Sequence, residues 1–212
     1  MSMRIRTSAL TALAVAALAA GSVLVAPAAG AASKAAASKA AAPKFLSASQ
    51  LPPHPSSSWT AGPVKEGVPA SLDLCFHTEN VSDYVYRHRE FRTDVDTNAV
   101  QLTVVASTPA LAKGLAKHYD DLFRTCADRL EAGSPDVDAE GRDYGKLSVE
   151  EGARVRGVNV ETSGGANDVA LMSVGRDGRT VTVVQWQQLG DFTGAPVAAF
   201  KKTTTTAVNK LY

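Results

Sequence analysis

The sequence predicts an α+β fold: a two-layer sandwich in which a curved antiparallel sheet carries a long middle helix and a C-terminal helix on one face. Three observations predict it. β-rich runs are joined by the short turns Ser163-Gly164-Gly165 and Asp177-Gly178, and Asp-Gly between two such runs is a strong hairpin signal. Apolar residues recur at three- and four-residue steps over Leu111–Leu130 and again from Val197 to Leu211, which is helical spacing. The order is helix, strands, long helix, strands, helix, so hairpin-joined strands make the sheet and the amphipathic helices cover a face of it.

Phe45-Leu46-Ser47-Ala48-Ser49-Gln50-Leu51 reads as a short helix stopped by Pro52 and Pro53. Residues 52–69 are rich in Pro, Ser and Gly and are expected to form an irregular loop anchored by Trp59. Leu72–Phe76 is a short apolar strand candidate, followed by 83–92 (DYVYRHREFR) and 99–106 (AVQLTVVA). Thr108 and Pro109 supply a capping hydroxyl and a proline at the first helical position. The helix they start, with Leu111, Leu115, Tyr119, Leu122, Cys126 and Leu130 on one stripe, runs about six turns to Gly133 and Pro135. An acidic loop (Asp136, Asp138, Glu140) and a weak strand at 143–149 precede strands at 153–162, 168–175 and 179–187. Residues 196–212 form the last helix, with Lys201 and Lys202 turned outward.

The first 31 residues carry the marks of a signal peptide: Arg4 and Arg6 without an acid, an apolar core over 10–20, and small residues at 26–31. Residues 32–44 repeat Ser-Lys-Ala-Ala-Ala and end at Pro43, a composition that buries nothing and reads as a linker. A single domain then fills 45–212. Without residues 1–31 the chain has 20 basic and 21 acidic side chains, a balance that gives no support for nucleic-acid binding. No second apolar run is long enough to span a bilayer, so a secreted product with no transmembrane anchor after cleavage is expected. Cys75 and Cys126, the two cysteines of the chain, are expected to pair in an oxidising compartment.

Enzyme signatures do not survive inspection. There is no Gly-x-Ser-x-Gly elbow, and both cysteines are used in the bridge. His54, His77, His88 and His118 are scattered without ligand spacing, and Cys75-x-His77 has no matching second pair. Asp94-Val95-Asp96-Thr97-Asn98 imitates half a calcium loop but has Ala99 for the required glycine and Val105 for the closing glutamate. Asn80-Val81-Ser82 is a glycosylation sequon by pattern alone. The sequence therefore implies no catalytic residue, no metal and no cofactor. Strand alternation puts Tyr84, Tyr86, His88 and Glu90 on one side of their strand, and Trp186 stands among Gln185, Gln187 and Gln188. On an open sheet face, Tyr84, Tyr86, His88 and Trp186 are the expected ligand-binding residues, against the plainer reading of a solvated face and a core tryptophan.

With these elements in place, the chain resembles the extracellular sensor domains of actinobacterial membrane Ser/Thr kinases and their secreted or lipoprotein relatives. The residues that carry the resemblance are the Phe45–Leu51 start, Cys75 before the middle strands, Val100–Ala106 leading into the helix from Leu111 to Cys126, a late Val-rich hairpin and a C-terminal helix. The family often has a second disulfide, for which the late strands here hold no cysteine, and this chain has no kinase region. The resemblance implies a ligand cleft and offers no catalytic residues. The resulting expectation is a secreted, non-catalytic binding or sensing module for a small molecule or cell-envelope component. An extracellular protein-interaction or inhibitor module is the alternative, and an enzyme the least favoured.

Overall fold

The computed structural model describes residues 42–76 and 83–212. The expected signal peptide, most of the linker, His77 and the Asn80-Val81-Ser82 sequon lie outside the described residues. Seven strands are formed: β1 (Thr60–Glu66), β2 (Tyr84–Arg92), β3 (Asn98–Ala106), β4 (Val137–Leu147), β5 (Ala153–Thr162), β6 (Asn167–Asp177) and β7 (Thr180–Leu189). Three helices accompany them: α1 (Pro109–Arg124), α2 (Cys126–Gly133) and α3 (Val197–Asn209). The strands make one open antiparallel sheet in the order β1-β2-β3-β7-β6-β5-β4.

The α+β class and the antiparallel sheet are as the sequence predicts, and so is the start of α1, where Thr108 Oγ1 accepts from the Leu111 amide with Pro109 at the first helical position. Several elements differ. The expected single middle helix breaks at Thr125, whose hydroxyl donates back to the Asp121 carbonyl (3.0 Å). The Phe45–Leu51 helix is reduced to a 3₁₀ turn over Ala48–Gln50. Leu72–Phe76 is not a strand, because Leu72, Cys75 and Phe76 stand at helical steps and all turn into the core from a 3₁₀ turn (Ala70–Leu72). The presumed loop 52–69 contains β1, and the acidic loop is the start of edge strand β4, where charged residues are compatible with one unpaired side.

The layering is the main correction. Both helices were expected on one sheet face, yet α1 with α2 covers one face and α3 the other. The first face buries Val100, Leu102 and Val104 of β3, Val181 and Val183 of β7, and Ala170, Met172 and Val174 of β6 against Ala112, Tyr119 and Phe123 of α1. The second face buries Ala99, Val184, Trp186, Val169 and Leu171 against Phe200 and Ala207 of α3 and against Leu46 and Leu51. The cause is in the strands themselves. Residues 169–174 and 180–184 are apolar or small at both parities, and a strand of that kind is stable only with both faces covered. Trp59 anchors the 52–69 segment as expected, packing on the second-face core and donating from Nε1 to the Pro52 carbonyl (2.7 Å).

Cys75 and Cys126 are joined by a disulfide, with Cα atoms 5.2 Å apart and a sequence separation of 51. In the chain-entropy model, closing a loop of that length stabilises the fold by about 4 kcal/mol. Arg129 of α2 adds a second tie, donating from Nη2 to the carbonyls of Cys75 (3.0 Å) and Leu122 (2.8 Å). At the far end of the same face, the buried Arg156 of β5 donates to both carboxylate oxygens of Asp120 on α1 (2.6 and 2.9 Å). Asp143 of β4 lies 3.6 Å from Arg156 and accepts from Arg154, whose guanidinium holds the Asp143 carboxyl below the usual carboxylate range against the opposing effect of burial.

The seat of α3 on the sheet depends on Gly175. A methyl group there would strike a Val208 side-chain methyl and lie 3.0 Å from the Ala153 Cβ. Gly175→Ala is therefore expected to cost about 2 kcal/mol through overpacking, lowering Tm by roughly 4–8 °C in a thermal melt. Gly114→Ala, on the exposed side of α1 with open space for a methyl, should leave stability unchanged or raise it.

Candidate functional site: a polar trough on the first sheet face

The residues expected to bind ligand do not share a surface. Tyr84, Tyr86 and His88 stand on the first face of β2, with the two tyrosine rings edge to face at 6.1 Å. Tyr86 and His88 are buried there, and His88 Nδ1 donates to the Gly67 carbonyl (2.7 Å). Trp186 is buried on the second face, across the sheet from them. No open cleft is formed by these four side chains: Trp186 lies under α3 and the 44–51 segment on the second face, while Tyr86 and His88 are buried on the first.

The same strand alternation does build a site further along. On β2 the first-face series Tyr84, Tyr86, His88, Glu90, Arg92 passes from apolar to charged, and on β7 Val181, Val183, Gln185, Gln187 does likewise. Helices α1 and α2 do not cover this polar end. Cross-strand pairing sets Thr60, Arg92, Asn98, Gln187 and Ala170 in one transverse row over five strands. A cavity of about 600 Å³ opens over the row, lined among others by Lys65, Ser71, Glu90, Arg92, Asn98 and Gln187. A second cavity of about 380 Å³ adjoins it, lined by Asp73, Val160, Asp168 and Ala170 and again by Ser71 and Gln187. The two cavities together form a trough, with the Ser71 segment standing over its middle.

Backbone shape on the β1 side comes from a register shift between Ala61 and Val64. Arg89, on the opposite face of β2, fixes this bulge by donating from Nε to the Gly62 carbonyl (2.8 Å) and from Nη1 to the Leu46 carbonyl (3.0 Å). Within the trough Glu90 accepts from Lys65 Nζ (3.3 Å) and Ser71 Oγ (3.1 Å). The fully buried Gln185 donates from Nε2 to the Ser71 carbonyl (3.3 Å) and to Gln187 Oε1 (2.7 Å). This fixes the Gln187 amide with its oxygen occupied and its NH₂ free to donate. Among the described residues Gln185 Oε1, like Arg129 Nε in the tie to Cys75, is buried without a hydrogen-bond partner.

Charge is distributed unevenly along the trough. Arg92 is exposed and, among the described residues, has neither an ion pair nor a hydrogen bond. Its planar donor fork is suited to a carboxylate or similar anion. Ser71, His88 and Glu90 lie near one another, but Ser71 donates directly to Glu90 while His88 is held by Gly67, so the three form no serine–histidine–acid relay. A third cavity, of about 880 Å³ beside α1, is also charged, but most of its charges are spent on pairing: Lys117 with Asp121, Arg154 with Asp143, Arg176 with Glu151. Among the described residues Lys113 and Lys146 stay unpaired there, whereas in the trough the unpaired Arg92 stands beside neutral amide donors on Asn98 and Gln187.

No known protein family and no curated protein matches this chain. Among solved structures the chain is similar to the extracellular domain of PknH from Mycobacterium tuberculosis, at 14% sequence identity and a TM-score of 0.45, covering 79% of this chain and 98% of that one.

Arg89 gives a test of the trough's construction. Arg89→Ala leaves the Gly62 and Leu46 carbonyls without their donor and is expected to cost about 2 kcal/mol in denaturant unfolding. Arg89→Lys should recover little of it, because one ammonium cannot reproduce the two-armed contact.

Proposed function

We propose that this chain is a secreted, non-catalytic binding module that captures a small molecule or cell-envelope ligand in the polar trough between β1 and β6. The observation that carries the reading is the unpaired Arg92 guanidinium in the same cavity as free amide donors on Asn98 and Gln187. Such a site holds hydrogen-bonding capacity that the fold itself does not consume. Export is supported by the leader-like residues 1–31 and by the Cys75–Cys126 disulfide. No described helix is long and apolar enough to cross a membrane. The sequence resemblance to kinase sensor domains agrees with a role in binding rather than chemistry.

A thermal-shift screen of the mature chain against envelope fragments, metabolites and divalent metals tests the proposal. A ligand at about 100 times its dissociation constant adds roughly 2.7 kcal/mol, which for a domain of this size raises Tm by roughly 5–10 °C. At least one compound is expected to do so, and Arg92→Ala should abolish the shift while Lys201→Ala on α3 leaves it intact. Hits that stabilise the Arg92→Ala protein equally would refute the site. A silent panel would instead favour a macromolecular partner at the exposed Val95 and Leu189, which Asp96 brings together by accepting from the Leu189 amide (3.1 Å).

A further inference from the structure

The two halves of the trough carry opposite unpaired charge. At the β2 end Lys65 is neutralised by Glu90, which leaves Arg92 as the free cation. At the β6 end the cavity is lined by two carboxylates, Asp73 and Asp168, and no lysine or arginine. Both acids are exposed, and neither has an ion pair or hydrogen bond through its side chain among the described residues. Between them the floor and wall are neutral hydrogen-bonding groups, Asn98, Gln187 and Ser71, and Ser71 and Gln187 belong to both cavities. A site that holds an unpaired cation at one end and unpaired anions at the other is complementary to a ligand with the reverse dipole.

The spacing selects the kind of dipole. From β2 to β6 the sheet order is β2-β3-β7-β6, three strand intervals. At about 4.8 Å each, the row spans roughly 14 Å. A free amino acid is far too short to place its carboxylate at Arg92 and its ammonium at Asp73 and Asp168 together. An extended chain covers about 3.3–3.6 Å per residue, so about four residues match the span. Backbone amides along such a chain meet the middle of the trough, where the Gln187 and Asn98 amides donate to carbonyls and the Asn98 and Ser71 oxygens accept from N–H groups. Pro63 and Phe91 in one cavity and Leu74, Val160 and Val169 in the other give apolar side chains of the chain a surface to rest on without selecting a particular one.

Resting on the trough reading above, we infer that the ligand is a short zwitterionic oligopeptide of about four residues, bound with its free C-terminal carboxylate on Arg92 and its free N-terminal ammonium between Asp73 and Asp168. Recognition is by the two termini and the backbone, so the site tolerates varied side chains and rejects peptides blocked at either end.

Isothermal titration of the mature chain with tetra-alanine, its N-acetylated form, its C-terminal amide, di-alanine and the neutral sugar chitotetraose tests this. Tetra-alanine is expected to bind, with acetylation, amidation or shortening each weakening it by about tenfold or more. The penalties should be assigned by variant. Asp73→Asn with Asp168→Asn should bind free and acetylated peptides equally while still discriminating against the amide, and Arg92→Gln should do the reverse. If chitotetraose or a blocked peptide binds in an Arg92-dependent manner and end-blocking changes affinity less than about twofold, the trough is a binding site and the zwitterion assignment is wrong. If every probe that binds is indifferent to all three substitutions, the trough reading and the peptide assignment fall together.

Discussion

The geometry of the first face depends on one pinned segment. Residues 69–76 have almost no regular structure, yet Leu72, Cys75 and Phe76 are buried to 1% exposure or less. The disulfide to Cys126, the Arg129 contacts to the Cys75 carbonyl, and the Phe76 ring against Tyr119 (4.5 Å) and Phe123 (6.1 Å) fix the segment to α1 and α2. Burying three such side chains is favourable by several kcal/mol, on the order of 2 each, and the bridge removes the freedom the segment would otherwise recover in the unfolded chain. Ser71 is immediately beside this anchor. Its hydroxyl therefore reaches Glu90 and its carbonyl reaches Gln185, and the segment becomes the wall that divides and shapes the trough.

The second face is closed by different means and makes the site asymmetric. Here the 44–51 segment lies on the sheet and is stitched to it by polar groups. The buried Gln101 accepts from the Leu46 amide (2.7 Å) and donates to Thr182 Oγ1 (3.1 Å), while Thr203 of α3 donates to the Gln50 carbonyl (2.7 Å). These groups satisfy one another, in contrast with Gln185 on the other face, whose oxygen is left over. Close helix–sheet approach at Gly175, and the Phe192 ring seated between Arg142 (4.1 Å) and Tyr144 over the space left by Gly157, complete the cover. With this face sealed, the uncovered polar end of the first face is where the sheet meets solvent with unused donors.

Much of this was legible in the residues. Turn chemistry at Asp177-Gly178 and Ser163-Gly164-Gly165 gave β5, β6 and β7 close to their observed limits, and helical spacing gave α1 and α3. Strand β1 was hidden because Gly62 and Pro63 sit at its bulge and look like loop residues. The two-sided apolar character of β6 and β7 was the available sign that both faces would be covered. The expected site misplaced Trp186 for that reason, and it stopped at Glu90 where the series on β2 continues to Arg92. Ser71 and Asp73 could not be placed from sequence, because only the tertiary fold, through the disulfide, sets their segment above strands more than a hundred residues later.

The dependence of the trough on the pinned segment is tested most directly by comparing amide chemical shifts of the native chain with those of a Cys75→Ala/Cys126→Ala variant that remains folded. Loss of the bridge should move the resonances of Ser71, Glu90, Gln185 and Gln187, along with those near the cysteines, and leave the second face around Gly175, Phe200 and Val208 unchanged. Shifts confined to the immediate neighbours of the two cysteines, with Gln185 and Gln187 unmoved, would contradict the account.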